Sequence, residues 1–171
     1  MAASPNQPQL VALDANVLFD LADALDDVVE AVALIRERLL EPRLLIPPTV
    51  QQELAHWALH GGAAKQRSAR KAIQLAVSLR IVPFSLIAVR HGIAELIAER
   101  LRDRGLIAAR EVNDSLVLAE SALIGCSMLV TSDEHLRGID FELLTLELQA
   151  FDVAAPLIAT PREIARKFFQ R

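Results

Sequence analysis

The 171-residue sequence is poor in several residue types, with one cysteine, one tryptophan, no tyrosine and six glycines. Cys126 has no partner for an internal disulfide, so a reduced, cytoplasmic setting is the simplest inference. The longest apolar run, residues 116–130, contains Glu120 and is too short to span a membrane. Residues 1–8 lack a basic segment followed by an apolar one, so no signal peptide is expected. No glycine-rich loop of the P-loop type occurs.

The residues that are abundant favour a tightly packed core. Hydrophobic residues make up 53% of the chain and aromatic residues only 4%. The length suits one compact, helix-rich or α/β domain, and we expect a flexible N-terminus at residues 1–8 and a single domain at residues 9–171. The formal net charge is −4. A nucleic-acid partner would therefore need a local basic patch or bridging metal ions.

Short apolar segments typical of strands alternate with amphipathic segments typical of helices. The predicted strands are residues 10–13, 43–46, 80–84, 128–130 and 157–160. The predicted helices are residues 16–23, 25–40, 49–60, 63–79, 86–104 and 113–125, with a last helix from Pro161. Residues 143–148 fit either a helix or a strand. This alternation predicts an α/β fold with a mostly parallel sheet between layers of helices.

Two helices carry more specific expectations. Thr49 and Gln52 have the spacing of a capping box, which predicts Thr49 as the N-cap of its helix. The helix at residues 86–104 is expected to turn one apolar side inward, formed by Val89, Ile93, Leu96, Ile97 and Leu101. That side fits either the core or an interface between two copies of the chain.

Four acidic residues are expected to meet at one edge of the sheet. Asp14 and Asp133 follow predicted strands, Glu53 lies one turn into a helix, and Asp114 begins a helix. In a parallel α/β arrangement, the carboxyl ends of strands and the helix starts after them share an edge, which places Asp14, Glu53 and Asp133 there. Asp114 is expected at that edge only because the sheet should close around it. Clustered carboxylates repel one another unless a cation neutralises them, and oxygen-only ligands suit Mg²⁺ or Mn²⁺. Each aspartate also fits a helix cap, so the alternative of three caps and a surface glutamate stays open.

Four segments resemble the signature segments of PIN-domain nucleases: residues 13–18 (LDANVL), 48–54 (PTVQQEL), 113–115 (NDS) and 129–133 (LVTSD). The resemblance runs from about Gln9 to Phe168 and implies a three-layer α/β/α sandwich with a parallel sheet. It implies that Asp14, Glu53, Asp114 and Asp133 form the catalytic metal site, supported by Asn16 and by Thr131 or Ser132. Many bacterial members are single-domain, dimeric ribonucleases, and many of those are toxins of toxin–antitoxin pairs.

The sequence departs from the family pattern in two places. Residues 140–156 form a longer link than expected between Asp133 and the last strand. Asn113 stands where some members carry a further acid. The first departure concerns the surroundings of the site, and the second concerns the number and affinity of metal ions.

Several basic residues are candidate nucleic-acid contacts. Lys65, Arg67, Arg70 and Lys71 lie on one predicted helix and fit either a clamp on a nucleic-acid backbone or a solvated face. His56 and His135 lie near predicted site residues and are candidates for contacting phosphate. His56 and His60 have zinc-ligand spacing but lack a third ligand nearby. Trp57 is at an apolar-stripe position and is expected in the core rather than stacked on a base.

These observations favour a metal-dependent endoribonuclease in which water attacks the phosphorus in line at a four-carboxylate site. The expected partners are RNA, a second copy of the chain and, if the protein is a toxin, a small antitoxin; no membrane is expected. A catalytically inactive PIN-like binding module is the alternative. An aspartyl-phosphate phosphohydrolase is less favoured, because Asn16 stands where its second aspartate would be.

Overall fold

The computed structural model describes residues 8–169, with the side chains of Phe168 and Phe169 excepted. The expected flexible segment, residues 1–8, therefore lies almost wholly outside the described residues. Five strands are present in this part of the chain: β1 (Leu10–Leu13), β2 (Arg43–Ile46), β3 (Val82–Pro83), β4 (Met128–Val130) and β5 (Leu157–Ala159). The helices are α1 (Ala15–Ala22), α2 (Asp26–Arg38), α3 (Pro48–His60), α4 (Ala63–Ser78), α5 (Ala88–Asp103), α6 (Val112–Leu123), α7 (Glu134–Arg137), α8 (Phe141–Gln149) and α9 (Pro161–Phe169).

The five strands form one parallel sheet in the order β3-β2-β1-β4-β5. The sheet lies between layers of helices, which confirms the predicted α/β/α sandwich. From β1 the chain adds β2 and β3 on one side, then crosses over to place β4 and β5 on the other. The reversal puts a topological switch point between β1 and β4, where a crevice opens at the carboxyl ends of the strands.

The centre of the sheet is almost completely buried. Val11, Ala12 and Leu13 of β1 are inaccessible to solvent, as is Leu129 of the neighbouring β4. Strands covered on both faces are expected to be continuously apolar rather than alternating, which explains why β1 could be recognised from its sequence. The polar residues that follow β1 and β4 are therefore held by a rigid platform.

The structure corrects two expectations about helices. Helix α3 begins one residue before Thr49, with Pro47 as its N-cap and Pro48 in its first turn, so the prediction of Thr49 as N-cap is wrong. Pro48 starts the helix because its fixed φ and missing N–H cost nothing there. In α5, Ile97 and Leu101 are buried, but Val89 and Leu96 are 71% and 57% exposed, so their predicted inward position is wrong. The inner side of α5 is narrower than expected and includes Ala94 and Ala98 instead.

The last third of the chain resolves the remaining ambiguity. Residues 143–148 belong to helix α8, which Asp140 caps by accepting hydrogen bonds from the N–H groups of Glu142 and Leu143.

Among residues 8–169, no helix is both long and apolar enough to cross a bilayer.

Candidate active site

Asp14 lies at the carboxyl end of β1 and caps helix α1. Its Oδ1 accepts a hydrogen bond from the N–H of Ala15 at 2.7 Å, and its Oδ2 accepts one from the Thr131 hydroxyl at 2.7 Å. The Asn16 amide also donates to Oδ2, at 3.1 Å. Only 5% of Asp14 is exposed. The residue is thus both a helix cap and a fixed carboxylate at the switch point, so the two readings of the sequence are compatible.

Thr131 joins the ends of the two central strands. It follows β4, donates its hydroxyl proton to Asp14, and its Oγ1 accepts from the backbone N–H of Asp133 at 3.0 Å. The N–H of Ser132 donates to the Asn16 carbonyl oxygen at 3.0 Å, and the Ser132 hydroxyl donates to Asp20 at 3.0 Å. Asn16, Thr131 and Ser132 therefore hold the loop that carries Asp133 in a fixed position beside Asp14.

Asp133 caps the short helix α7, accepting a hydrogen bond from the N–H of His135 at 2.7 Å. Glu53 is half-buried on the second turn of α3, and Asp114 is half-buried in the first turn of α6. The negative charges of Glu53 and Asp133 act on Asp14, and those of Asp14 and Asp133 act on Asp114. Glu53, Asp114 and Asp133 therefore all lie within electrostatic range of Asp14.

Burial and neighbouring negative charges raise the pKa values of two carboxyl groups in this crevice. Burial raises the pKa of Asp14, with further contributions from the charges of Glu53 and Asp133, against the opposing hydrogen bonds from Thr131 and Ala15. Burial and the charges of Asp14, Asp133 and Glu111 raise the pKa of Asp114 to about 7. A divalent cation bound here would relieve both penalties.

The residues fit a hard divalent cation in donor chemistry, since the facing side chains offer only oxygen. Within residues 8–169, however, no three Asp, Glu, His or Cys side chains converge closely enough to hold a metal ion as they stand. Coordination by three or more of the carboxylates would therefore require side-chain rotation. Asp14 is fixed by three hydrogen bonds, so the half-buried Glu53 and Asp114 are the groups with freedom to turn.

A buried pair that the sequence interpretation missed connects two of the elements that carry these acids. Glu120 of α6 is 3% exposed, and its carboxylate accepts hydrogen bonds from both the N–H and the hydroxyl of Thr49, at 3.0 and 2.8 Å. The Thr49 hydroxyl therefore bonds to a side chain of α6 and does not cap its own helix. Glu120 could have been noticed as the one charge inside a long apolar run, because a buried carboxylate requires hydrogen-bond partners.

Three of the other candidate residues make contacts that support the packing of the helices, although Lys65 and Arg70 are exposed. The Lys65 ammonium lies 3.7 Å from the centre of the Phe19 ring and 5.4 Å from that of Trp57, and Arg70 donates to the Ala58 carbonyl. These two cations help to hold α4 against α1 and α3. Trp57 is partly buried against the core, as expected.

The remaining candidates are surface residues. The His56 ring packs against Trp57 and His60, with centroids 5.4 Å apart in both pairs. Arg67 and Lys71 are exposed on α4, and His135 is exposed beside Asp114.

Comparison with known structures and families supports the fold. The structure of VapBC2 from Rickettsia felis, bound to a DNA fragment from their promoter, aligns with a TM-score of 0.59 at 15% identity, covering 89% of this chain and 98% of that one. VapBC-1 from nontypeable Haemophilus influenzae aligns with a TM-score of 0.57 at 14% identity, covering 90% and 98%. No curated protein matches the chain significantly. A family model described as the PIN domain matches residues 11–142, more than three-quarters of the sequence. The chain belongs to the PIN-domain family.

Proposed function

We propose that the protein is a divalent-metal-dependent endoribonuclease whose catalytic and metal-binding residues are Asp14, Glu53, Asp114 and Asp133. The observation that carries this proposal is the position of Asp14, which Thr131 and Asn16 hold at the switch point within electrostatic range of Glu53, Asp114 and Asp133. Such a concentration of negative charge destabilises the fold unless a bound cation neutralises it. Membership of the PIN-domain family independently supports a nuclease. Mg²⁺ or Mn²⁺, when bound, would supply Lewis-acid chemistry to a phosphodiester and lower the pKa of a water.

The residues of the chain would act mainly by positioning. Thr131 and Asn16 orient Asp14, and their hydrogen bonds favour the charged form of its carboxylate against the burial that raises its pKa. Asp133 is fixed through the bond from its N–H to Thr131, and Glu53 and Asp114 complete the oxygen ligands from α3 and α6. Attack by water in line with the leaving 3′ oxygen would give 5′-phosphate and 3′-hydroxyl ends.

The biological setting is proposed from the same sources. The structural neighbours are VapBC complexes, and the sequence motifs resemble those of toxin nucleases, which supports a toxin whose partner is a small antitoxin protein. RNA as substrate, a homodimeric state and a cytoplasmic location rest on the resemblance and on the lone cysteine. A small gene directly upstream that encodes an antitoxin would support the toxin assignment, and sedimentation would determine the oligomeric state.

The direct test is cleavage of a labelled RNA by the purified protein in chelator, with Mg²⁺ and with Mn²⁺. The unmodified protein should cut only with a divalent ion, and Asp14→Asn should reduce the rate by roughly 100-fold or more, as loss of a key electrostatic group typically does. Asp103→Asn, an exposed carboxylate on α5, is the matched control and should cut normally. An Asp14→Asn protein that cleaves as fast as the original would refute the mechanism.

One observation favours a second candidate, the inactive binding module. No three of the acids converge as they stand among the described residues, which is what a site without turnover would also look like. Calorimetry separates the two, because the nuclease should bind Mg²⁺ or Mn²⁺ at neutral pH and the inactive module should not. The phosphohydrolase is further disfavoured, because a buried Asp14 that accepts three hydrogen bonds is a poor nucleophile.

A further inference from the structure

A small cavity opens directly beside the carboxylate crevice. Its volume is about 150 Å³, and Asp114 of α6 forms part of its wall. His135 and Leu136 of α7, the helix that Asp133 caps, also line it. The cavity is thus bounded by the elements that carry two of the four proposed catalytic acids, and whatever fills it lies next to the reacting phosphate.

The cavity has an apolar floor and a polar rim. Ile107 and Leu136 supply the floor and are almost fully buried, while Arg110 and His135 lie at the rim. The volume corresponds to roughly five water molecules, far below that of a pocket for a drug-sized ligand. A single flat heterocycle has suitable size and chemistry, because its faces are apolar and its edges form hydrogen bonds.

The loop that forms the cavity is pre-organised. The N–H groups of Leu106 and Ile107 both donate to the Leu101 carbonyl, at 3.0 and 3.3 Å, and Gly105 has a φ of +72° that side chains rarely adopt. A preformed cavity avoids the ordering cost of binding. The rim is adjustable by contrast, since the Arg110 side chain is 82% exposed and its ion pair with Glu111 is partly exposed.

The polar lining favours a nucleobase, whose edges carry both donors and acceptors, over an apolar side chain of a protein partner. Arg110 and His135 line this cavity together with the acids Glu111 and Asp114, so its polar groups include both hydrogen-bond donors and acceptors. Guanidinium and imidazole planes stack on bases and donate to base edges or phosphate. We propose that this cavity is a nucleobase subsite that holds the base next to the cleaved bond and sets the sequence preference of the enzyme. The proposal rests on the proposed nuclease function.

The first test measures cleavage preference. Products from an RNA with randomised positions are sequenced for the unmodified protein, Ala108→Leu, which fills the cavity, and Arg110→Ala, which removes its rim. The control is Arg104→Ala, an exposed arginine that is also ion-paired but lies outside the cavity. We expect a preference for one base beside the cut, reduced roughly 5- to 30-fold by Ala108→Leu and Arg110→Ala and unchanged by Arg104→Ala. Unchanged preference in all variants would overturn the subsite, although the nuclease would stand.

The second test is independent of catalysis. Amide NMR spectra of the unmodified protein are recorded with adenosine, guanosine, cytidine, uridine and, as the base-free control, ribose. At least one nucleoside should shift the signals of residues 106–111 and 135–136 beyond the effect of ribose, and Ala108→Leu should abolish these shifts. Nucleosides that behave like ribose would refute the subsite, leaving the cavity to a protein side chain. If the protein cuts no RNA, this second test alone still decides on the subsite.

Discussion

The buried pair of Thr49 and Glu120 gives the sharpest prediction of stability. Thr49→Val keeps the shape of the side chain and deletes the hydroxyl that donates to the Glu120 carboxylate at 2.8 Å. The backbone N–H of Thr49 still donates to the other oxygen at 3.0 Å. The substitution therefore removes one hydrogen bond and leaves one oxygen of a 3% exposed carboxylate without that donor.

The magnitude follows from the charge of the acceptor. A hydrogen bond to a charged group is worth about 1.5–3 kcal/mol, so the free energy of unfolding should fall by that amount at pH 8. Burial already raises the pKa of Glu120 above 4.5, against the hydrogen bonds from Thr49, and losing the hydroxyl raises it further. An acid with a raised folded-state pKa loses stability as the pH rises, so the variant should lose more at pH 8 than at pH 5.

The assay is urea unfolding followed by circular dichroism at both pH values, with a metal chelator present. Glu120→Gln is the companion variant, because a neutral amide can still pair with Thr49 and should show a weaker pH dependence. Thr145→Val is the matched control, since the Thr145 hydroxyl donates only to the Phe141 carbonyl on its own helix, and little change is expected. A loss below about 0.5 kcal/mol at pH 8, or an equal loss at both pH values, would refute the reasoning.

Two further predictions concern other acids. Glu163→Gln should destabilise the protein by about 1 kcal/mol at pH 7, because Glu163 accepts from Arg137 at 2.6 Å and from the N–H of Thr160, and the pair is partly exposed. The Arg137 guanidinium holds the pKa of Glu163 at about 2, so the difference should shrink as the pH falls from 4.5 towards 2, which denaturation across that range would show. Asp114→Asn should stabilise the metal-free protein at pH 8 but not at pH 4, because the pKa of Asp114 is about 7 against 3.8 in the unfolded chain. That difference in pKa sets an upper limit of about 4 kcal/mol on the gain in free energy of unfolding, and the partial exposure of Asp114 makes the actual gain smaller. Thermal unfolding in the presence of a chelator measures it. A gain that is equal at both pH values would mean that ionisation of Asp114 is not the cause.

The central strands β1 and β4 were predictable because they are short, fully apolar and followed by polar residues. Leu10–Leu13 and Met128–Val130 form strands within the predicted segments, and all strand pairs are parallel. The helical start at Pro48 was misread, because Thr49 fits a capping box locally and its actual partner, Glu120, is 71 residues away. Local patterns predict local bonds, and a hydrogen bond across that distance leaves no periodic signal.

The candidate site was predictable only as a set of residues on one edge. Chain order places Asp14, Glu53 and Asp133 there, since helix starts follow strand ends in parallel α/β folds. Asp114 begins a helix that follows another helix, so its place at the edge was expected only from the sheet closing around it. Chain order carries no information on how side chains rotate, so the absence of a ready-made metal cluster among the described residues was not predictable. The cavity beside Asp114 was likewise hidden, because it depends on how the turn after α5 packs against α7.

The short strand β3 constrains how two copies of this chain can associate. The N–H of Phe84 donates inward to the Ile46 carbonyl, at 3.2 Å. Because hydrogen-bonding directions alternate along a strand, the nitrogen of Pro83 faces outward, and proline carries no hydrogen to donate. The outer margin of the sheet therefore lacks the donor that another strand would need there. A dimer of this chain should therefore not continue the sheet through β3 from one protomer into the next.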